Sequence, residues 1–180
     1  MRIKKEDTIA VVIDVQERLF PLISDNKNLT DNIVKLIKGL KAIGIEILVT
    51  VQYTKGLGFT IQPIKEALGE LETMEKTFFS CCGDENFINA LKNTGKKNVI
   101  LCGIESHVCV LQTAIDLKEK GFQPILIEDC VSSRRINDKK IAIERMRSEG
   151  AIISTHESIL FELLEVSGTD SFKAVSKIVK

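Results

Sequence analysis

Six short apolar runs, each followed by a stretch with helical spacing, constrain this chain more than anything else in it. The runs lie at residues 9–15, 45–51, 73–77, 98–102, 124–127 and 151–154. Most are rich in Val and Ile and lack polar alternation, the pattern of strands covered on both faces. Helical spacing follows at 28–43, where Leu29, Ile33, Leu36, Ile37 and Leu40 recur, and again near 64–68, 84–91, 109–120, 138–147, 155–164 and 171–179. Asn28 or Thr30 is expected to cap the first helix, Gly44 to stop it and Asp84 to cap the third. Residues 52–63, with Gly56, Gly58 and Pro63, read as loop. Strand and helix in alternation predict an α/β fold: a three-layer α-β-α arrangement around a six-stranded, mostly parallel, Rossmann-like sheet. No linker, repeat or low-complexity stretch interrupts residues 1–180, so one domain is expected.

Parallel sheets place the carboxyl ends of their strands along one edge, where ligands bind. Three side chains fall there. Asp14 closes the first run, Lys76 closes the third, and Cys109 follows the fourth after a short loop. Each has an ordinary alternative: Asp14 as an Asx turn, Lys76 as solvated surface, Cys109 as a buried structural thiol. Phe78 and Phe79 after Lys76 suggest that the backbone turns toward the core, where a lysine needs a carboxylate partner, and Asp14 is the candidate. A helix N-terminus at Cys109 would lower its thiol pKa. Cys81, Cys82, Cys102 and Cys130 read as structural, with Cys102 inside a strand and Cys130 at the end of one. Together the trio suits attack by sulfur on an amide-like carbon.

Other chemistries lack their residues. Lys+Arg and Asp+Glu both count 25, so no basic excess points to nucleic acid and no charged tail to a membrane surface. No run approaches the ~20 apolar residues of a spanning helix. Five cysteines and an N-terminus without a secretory pattern point to free thiols and a cytoplasmic setting. His107 and His156 are the two histidines and are not at metal-ligand spacing, and no phosphate-cradling glycine motif occurs, so neither metal nor cofactor is expected.

The motifs Asp14-Val15-Gln16, Glu75-Lys76-Thr77, the run from Gly103 to Val110 and Gln112-Thr113-Ala114 occur in an order and spacing that resemble the isochorismatase-like cysteine hydrolases, over nearly the whole chain. The resemblance implies a catalytic triad of Asp14, Lys76 and Cys109. It also implies a cis peptide between Ile104 and Glu105, with the N–H groups of Glu105 and Cys109 forming an oxyanion hole. Gln16, Leu19, Phe20 and Tyr53 are the expected pocket lining. The nicotinamidase branch of this superfamily holds a metal near the end of strand two; Gln52-Tyr53-Thr54 stands there here, so a metal-dependent nicotinamidase is not expected. The segment at residues 49–58 looks more like the isochorismatase domain-containing proteins. The resemblance thus implies hydrolysis of a C–N bond in a small molecule by a homo-oligomer. A vinyl ether hydrolase that does not need Cys109, and a non-catalytic interaction protein on the same fold, remain as rivals.

Overall fold

The first strand, β1 (Thr8–Ile13), is buried along its whole length, because it lies at the centre of a sheet covered on both sides. The computed structural model of the protein describes residues 2–180. Six parallel strands stand in the order β3-β2-β1-β4-β5-β6, with β2 Ile47–Gln52, β3 Thr73–Lys76, β4 Asn98–Ile104, β5 Gln123–Ser132 and β6 Ile152–Ser154. The expected α/β architecture is the one observed, and the sheet is wholly parallel.

Strand alternation sorts the core into two halves. Ala10 and Val12 face one cluster, with Leu36, Ile37 and Leu40 of α1 (Asn26–Ile43), Ile64 and Leu68 of α3 (Gln62–Leu68), Leu160 of α7 (His156–Leu164) and Val175 of α8 (Asp170–Val179). Ile9, Val11 and Ile13 face the other, with Phe87 and Leu91 of α4 (Glu85–Asn93), Ala114 and Leu117 of α5 (Leu111–Glu119), and Ile143 and Met146 of α6 (Ile136–Ser148). Each fully buried Leu, Ile or Phe contributes about 1.5–3 kcal/mol, so neither face is dispensable.

Several boundaries differ from the sequence reading. Helix α1 begins at Asn26, and neither Asn28 nor Thr30 caps it: Asp25 precedes it in the left-handed region, and the Asn28 amide bonds the Asp25 carboxylate instead. The loop after β2 contains a single helical turn, α2 (Thr54–Leu57). Strand β5 runs five residues past residue 127, so Cys130 lies inside it; the register with β4 shifts between Leu101 and Gly103, which lets the longer strand continue. Asp84 does cap α4, accepting from the N–H groups of Asn86 and Phe87. Gly103 is required where it stands: its φ is +118°, and a Cβ there would sit 2.1 Å from the Ile13 carbonyl oxygen of β1.

Candidate active site

The chain leaves β1 toward β2 and β3, then returns to β4 on the other side of β1. Strand order therefore reverses between β1 and β4, and the carboxyl ends of those two strands flank the crevice in which such sheets bind ligands. Asp14 follows β1 directly, and the turn Ser106–Val110, which carries Cys109, follows β4.

Asp14 takes a left-handed conformation, φ 52°, which Asp tolerates better than most residues. Its N–H donates to the Thr50 carbonyl at 3.1 Å, and its Oδ1 accepts from the Thr50 hydroxyl at 2.8 Å. Its Oδ2 accepts from Lys76 Nζ at 2.6 Å, and both side chains are 2% exposed. Lys76 is the last residue of β3, two strands from β1, and spans β2 to reach Asp14. Its ammonium also donates to Gln52 Oε1 at 2.7 Å and to the Phe78 and Phe79 carbonyls at 3.1 and 3.2 Å. A buried charge pair is tolerable only when its remaining hydrogen-bonding capacity is met, and here it is. The expected turn of residues 78–79 toward the core is corrected: Phe78 and Phe79 are 57% and 56% exposed, and it is their carbonyls that point inward, to the lysine.

Cys109 is buried, in a wide π-type turn that precedes α5, and not at the first turn of the α-helix itself. Its thiol is pushed well above the ordinary value by burial and then by the negative charge of Asp14, against the opposing pull of Lys76. The lowered thiol expected from a helix N-terminus is thus overturned, because one turn of backbone dipole does not outweigh desolvation beside a carboxylate. The Ile104–Glu105 peptide is cis. The Glu105 carbonyl accepts from the N–H groups of Val108 and Val110, and its carboxylate Oε1 accepts from the N–H and Nε of Arg134 at 3.0 and 3.1 Å.

The expected lining residues have separate fates. Gln16 is fully buried and is a clamp, not a pocket wall: Nε2 donates to the Gln52 and Gly58 carbonyls at 2.9 and 2.7 Å, and Oε1 accepts from the Gln52 N–H at 2.7 Å. Leu19 and Phe20 are half-buried against the α1 side of the core. Tyr53 is exposed at the end of β2, and its N–H donates to the Lys76 carbonyl.

Sequence reading missed Thr50, Gln52 and Cys81. Cys81 is wholly buried, with its sulfur 3.7 Å from the Thr50 hydroxyl; burial first, against the pull of Lys76, raises its thiol to about 11. Thr50 was findable as a hydroxyl inside an apolar strand run; Cys81 carried no signal beyond its residue type. Sequence spacing also hid a group on β5 and α7, where Asp129, Cys130 and His156 come within metal-ligand reach of one another. There the His156 ring and N–H bond the Asp129 carboxylate at 2.6 and 2.9 Å, which suffices to pin α7 to the strand.

A three-layer sheet with this strand order and a Cys–Asp–Lys crevice defines a class, and comparison names it: residues 8–158 match the Isochorismatase domain family, to which the chain belongs. Isochorismatase family protein 1B of Dictyostelium discoideum is 35% identical, with 99% of this chain and 89% of that protein aligned. Among solved structures, the one described as MAR1 ribonuclease from Caenorhabditis elegans superposes with a TM-score of 0.93 at 37% identity, covering 99% of this chain and 92% of that one. The YcaC gene product from Escherichia coli, described as an octameric hydrolase of unknown specificity, shares the fold: TM-score 0.92 at 23% identity, over 99% of this chain and 89% of that one. Among the described residues, no helix is long and apolar enough to cross a membrane.

Proposed function

We propose that the protein is a cysteine hydrolase that cleaves an amide-like C–N bond of a small molecule, with Asp14, Lys76 and Cys109 as its catalytic residues. The observation that carries this reading is the buried 2.6 Å Asp14–Lys76 pair beside the buried thiol of Cys109. A raised thiol pKa calls for deprotonation in step with attack, and a carboxylate held by the Thr50 hydroxyl and by a lysine that three further acceptors fix is the base for that step. Asp14 accepts the Cys109 proton as the sulfur bonds to the carbonyl carbon. The resulting oxyanion is held by the N–H groups of Glu105 and Cys109, each donor of this kind being worth about 3 kcal/mol. Asp14 returns the proton to the leaving nitrogen, the C–N bond breaks, and water hydrolyses the thioester to the acid. Lys76 holds the Asp14 side chain in one orientation through both proton transfers. No metal or cofactor takes part.

The test is a screen of small amides, ureas and carbamoyl compounds for ammonia release by wild type and Cys109→Ala. Release that depends on Cys109 supports the reading; ether cleavage that survives Cys109→Ala would establish the rival vinyl ether hydrolase. The description of the worm structure raises RNA as a second substrate class. Equal counts of basic and acidic residues give no long-range attraction for a polyanion, and cleavage of a labelled RNA by wild type but not by Cys109→Ala would reverse this preference. We also propose that the chain assembles with copies of itself, since Leu22, Tyr53, Phe59, Phe78 and Phe79 are exposed after β1, β2 and β3; light scattering at micromolar concentration that returned a monomer would refute it.

A further inference from the structure

The chemistry above leaves unused the group formed by Asp129, Cys130 and His156. Cys130 belongs to the half of the core that faces α1, whereas Cys109 belongs to the other half, so the sheet separates this group from the crevice. Neighbours along a regular strand point to opposite faces, and Asp129 and Cys130 of β5 would ordinarily be directed apart. Here β5 makes an excursion: it advances five residues between its pairs with Leu101 and Gly103 of β4, which are two residues apart. The excursion contains residues 127–130, and such irregularities re-aim side chains. Both side chains thus meet His156, the first residue of α7. One ligand atom from each, a carboxylate oxygen, a sulfur and a ring nitrogen, lies within 4.8 Å of the other two. The surroundings hold them there. The Asp129 carbonyl accepts from the Asn32 amide at 3.0 Å, and Asp129 Oδ1 accepts from the His156 N–H at 2.9 Å. Thr155 caps α7 by accepting from the Ser158 N–H, which fixes the helix start that carries the imidazole. Asp129 Oδ2 and His156 Nδ1 face each other at 2.6 Å. Cys130 is fully buried, while the Asp129 side chain keeps 29% of its exposure. A cavity of about 120 Å³, rimmed by Asp25, Asn28 and Asn32, opens on Asp129 and sets two carboxylates against the single ammonium of Lys139.

We propose that Asp129, Cys130 and His156 bind one zinc ion, with water in the fourth position. A mixed oxygen, sulfur and nitrogen set suits zinc, whereas calcium and magnesium take oxygen ligands and copper(I) takes softer ones. Zinc–ligand bonds at tetrahedral angles separate the ligand atoms by about 3.3–3.6 Å. Coordination therefore asks Oδ2 and Nδ1 to part by roughly 0.7 Å, as the ion takes the place of the proton between them. The Cys130 proton leaves to solvent, because the thiolate is the ligand. The cavity at Asp129 supplies the way in and the place for the water. The ion clips the excursion of β5 to the start of α7, at the point where the ladder to β4 is interrupted, and so acts on stability and not on turnover.

Metal-free protein, stripped with a chelator that is then removed, is titrated with zinc chloride by calorimetry near neutral pH. One equivalent should bind with Kd below about 1 μM. Zinc at about a hundredfold excess over Kd should raise Tm by at least about 5 °C. His156→Gln and Cys130→Ser should each weaken binding at least about a hundredfold, since even the outer partners of zinc ligands are worth about 10–100-fold. Cobalt(II) in place of zinc should show the charge-transfer absorption of a cobalt–thiolate bond in wild type and in Cys109→Ala, but not in Cys130→Ser. No binding, binding weaker than about 1 μM, or one equivalent untouched by either variant would overturn the site. Binding lost in Cys109→Ala would overturn it too, by assigning the ion to the crevice. Circular dichroism establishes that each variant is folded, and His156→Gln, at a partly exposed helix start, carries the test if Cys130→Ser does not fold.

Discussion

Replacing Lys76 by Met tests whether the crevice depends on a buried ion pair. Met keeps the unbranched stem and roughly the same volume, so the change removes charge and little packing. The ammonium donates to Asp14, Gln52 and two carbonyls, and Asp14 without it retains the Thr50 hydroxyl but no counter-ion, at 2% exposure. Breaking a buried pair from one side typically costs about 3–5 kcal/mol, because the remaining charge is uncompensated. For a domain of this size each kcal/mol moves Tm by about 2–4 °C, so a fall of roughly 6–20 °C is expected. Urea titration at neutral pH, followed by circular dichroism, gives the free energy directly. The double variant Asp14→Asn/Lys76→Met, with neither charge present, should recover about 1–3 kcal/mol of the single variant's loss. A cost below about 1 kcal/mol, the range of exposed pairs, or a double variant less stable than Lys76→Met, would refute the argument.

Three further outcomes follow from the same geometry. Because only the thiolate reacts and burial beside Asp14 raises the Cys109 thiol, its alkylation by iodoacetamide should climb about tenfold per pH unit from 7 to 9 without levelling; a plateau below pH 8, located to Cys109 by mass spectrometry, would mean a standing thiolate. Thr50→Val removes the hydroxyl donor to Asp14 while keeping the side-chain shape, and should lower kcat about tenfold with KM little changed, as for a residue that orients the base; an equal loss from Cys81→Ala would shift the role to the thiol. Burial works against the Asp129 carboxylate, but the ring and N–H of His156 outweigh it and hold its pKa below the usual value. A depressed folded pKa contributes stability that is complete above about pH 4 and is lost as pH falls through the folded value. Wild type should therefore lose stability below pH 4 more steeply than Asp129→Asn, and parallel urea midpoints at pH 7, 4 and 3 would contradict it.

What could be read from the amino acids was the part governed by local pattern. Five of the six strands announce themselves as Val- and Ile-rich runs, β3 with its sequence Thr-Met-Glu-Lys being the exception, and the glycine at residue 44 and the aspartate at residue 84 act at helix ends as their chemistry requires. Asp14 and Lys76 were legible because a charged residue at the end of an apolar run has to be accounted for. Cys109 was legible as a position but not as an acid, since desolvation depends on what packs over the turn. Phe78 and Phe79 misled because composition speaks for side chains, whereas here the backbone carbonyls face inward. Gln16 misled for the opposite reason: a polar side chain near a crevice was read as a contact, and its amide is consumed by backbone of β2 and the loop after it. His156 and Asp129 are 27 residues apart and meet only because β5 and β6 are neighbours.

The position of Lys76 explains why the crevice needs so much support around it. Asp14 and Cys109, which follow β1 and β4, are adjacent by topology, but the lysine comes from β3 and has to pass β2 to reach them. Long ammonium side chains carry about 2 kcal/mol of rotamer entropy, so an unsupported lysine would not hold one geometry. Gln52, the last residue of β2, supplies the intermediate foothold through its side-chain oxygen, and its own N–H and carbonyl are gripped by Gln16 from β1's end. The clamp thus ties together the three strand ends that the ion pair connects. On this argument Gln16 belongs to the site without touching any ligand, and its replacement would act through the order of Lys76 and Asp14, by loosening the end of β2 on which the lysine rests.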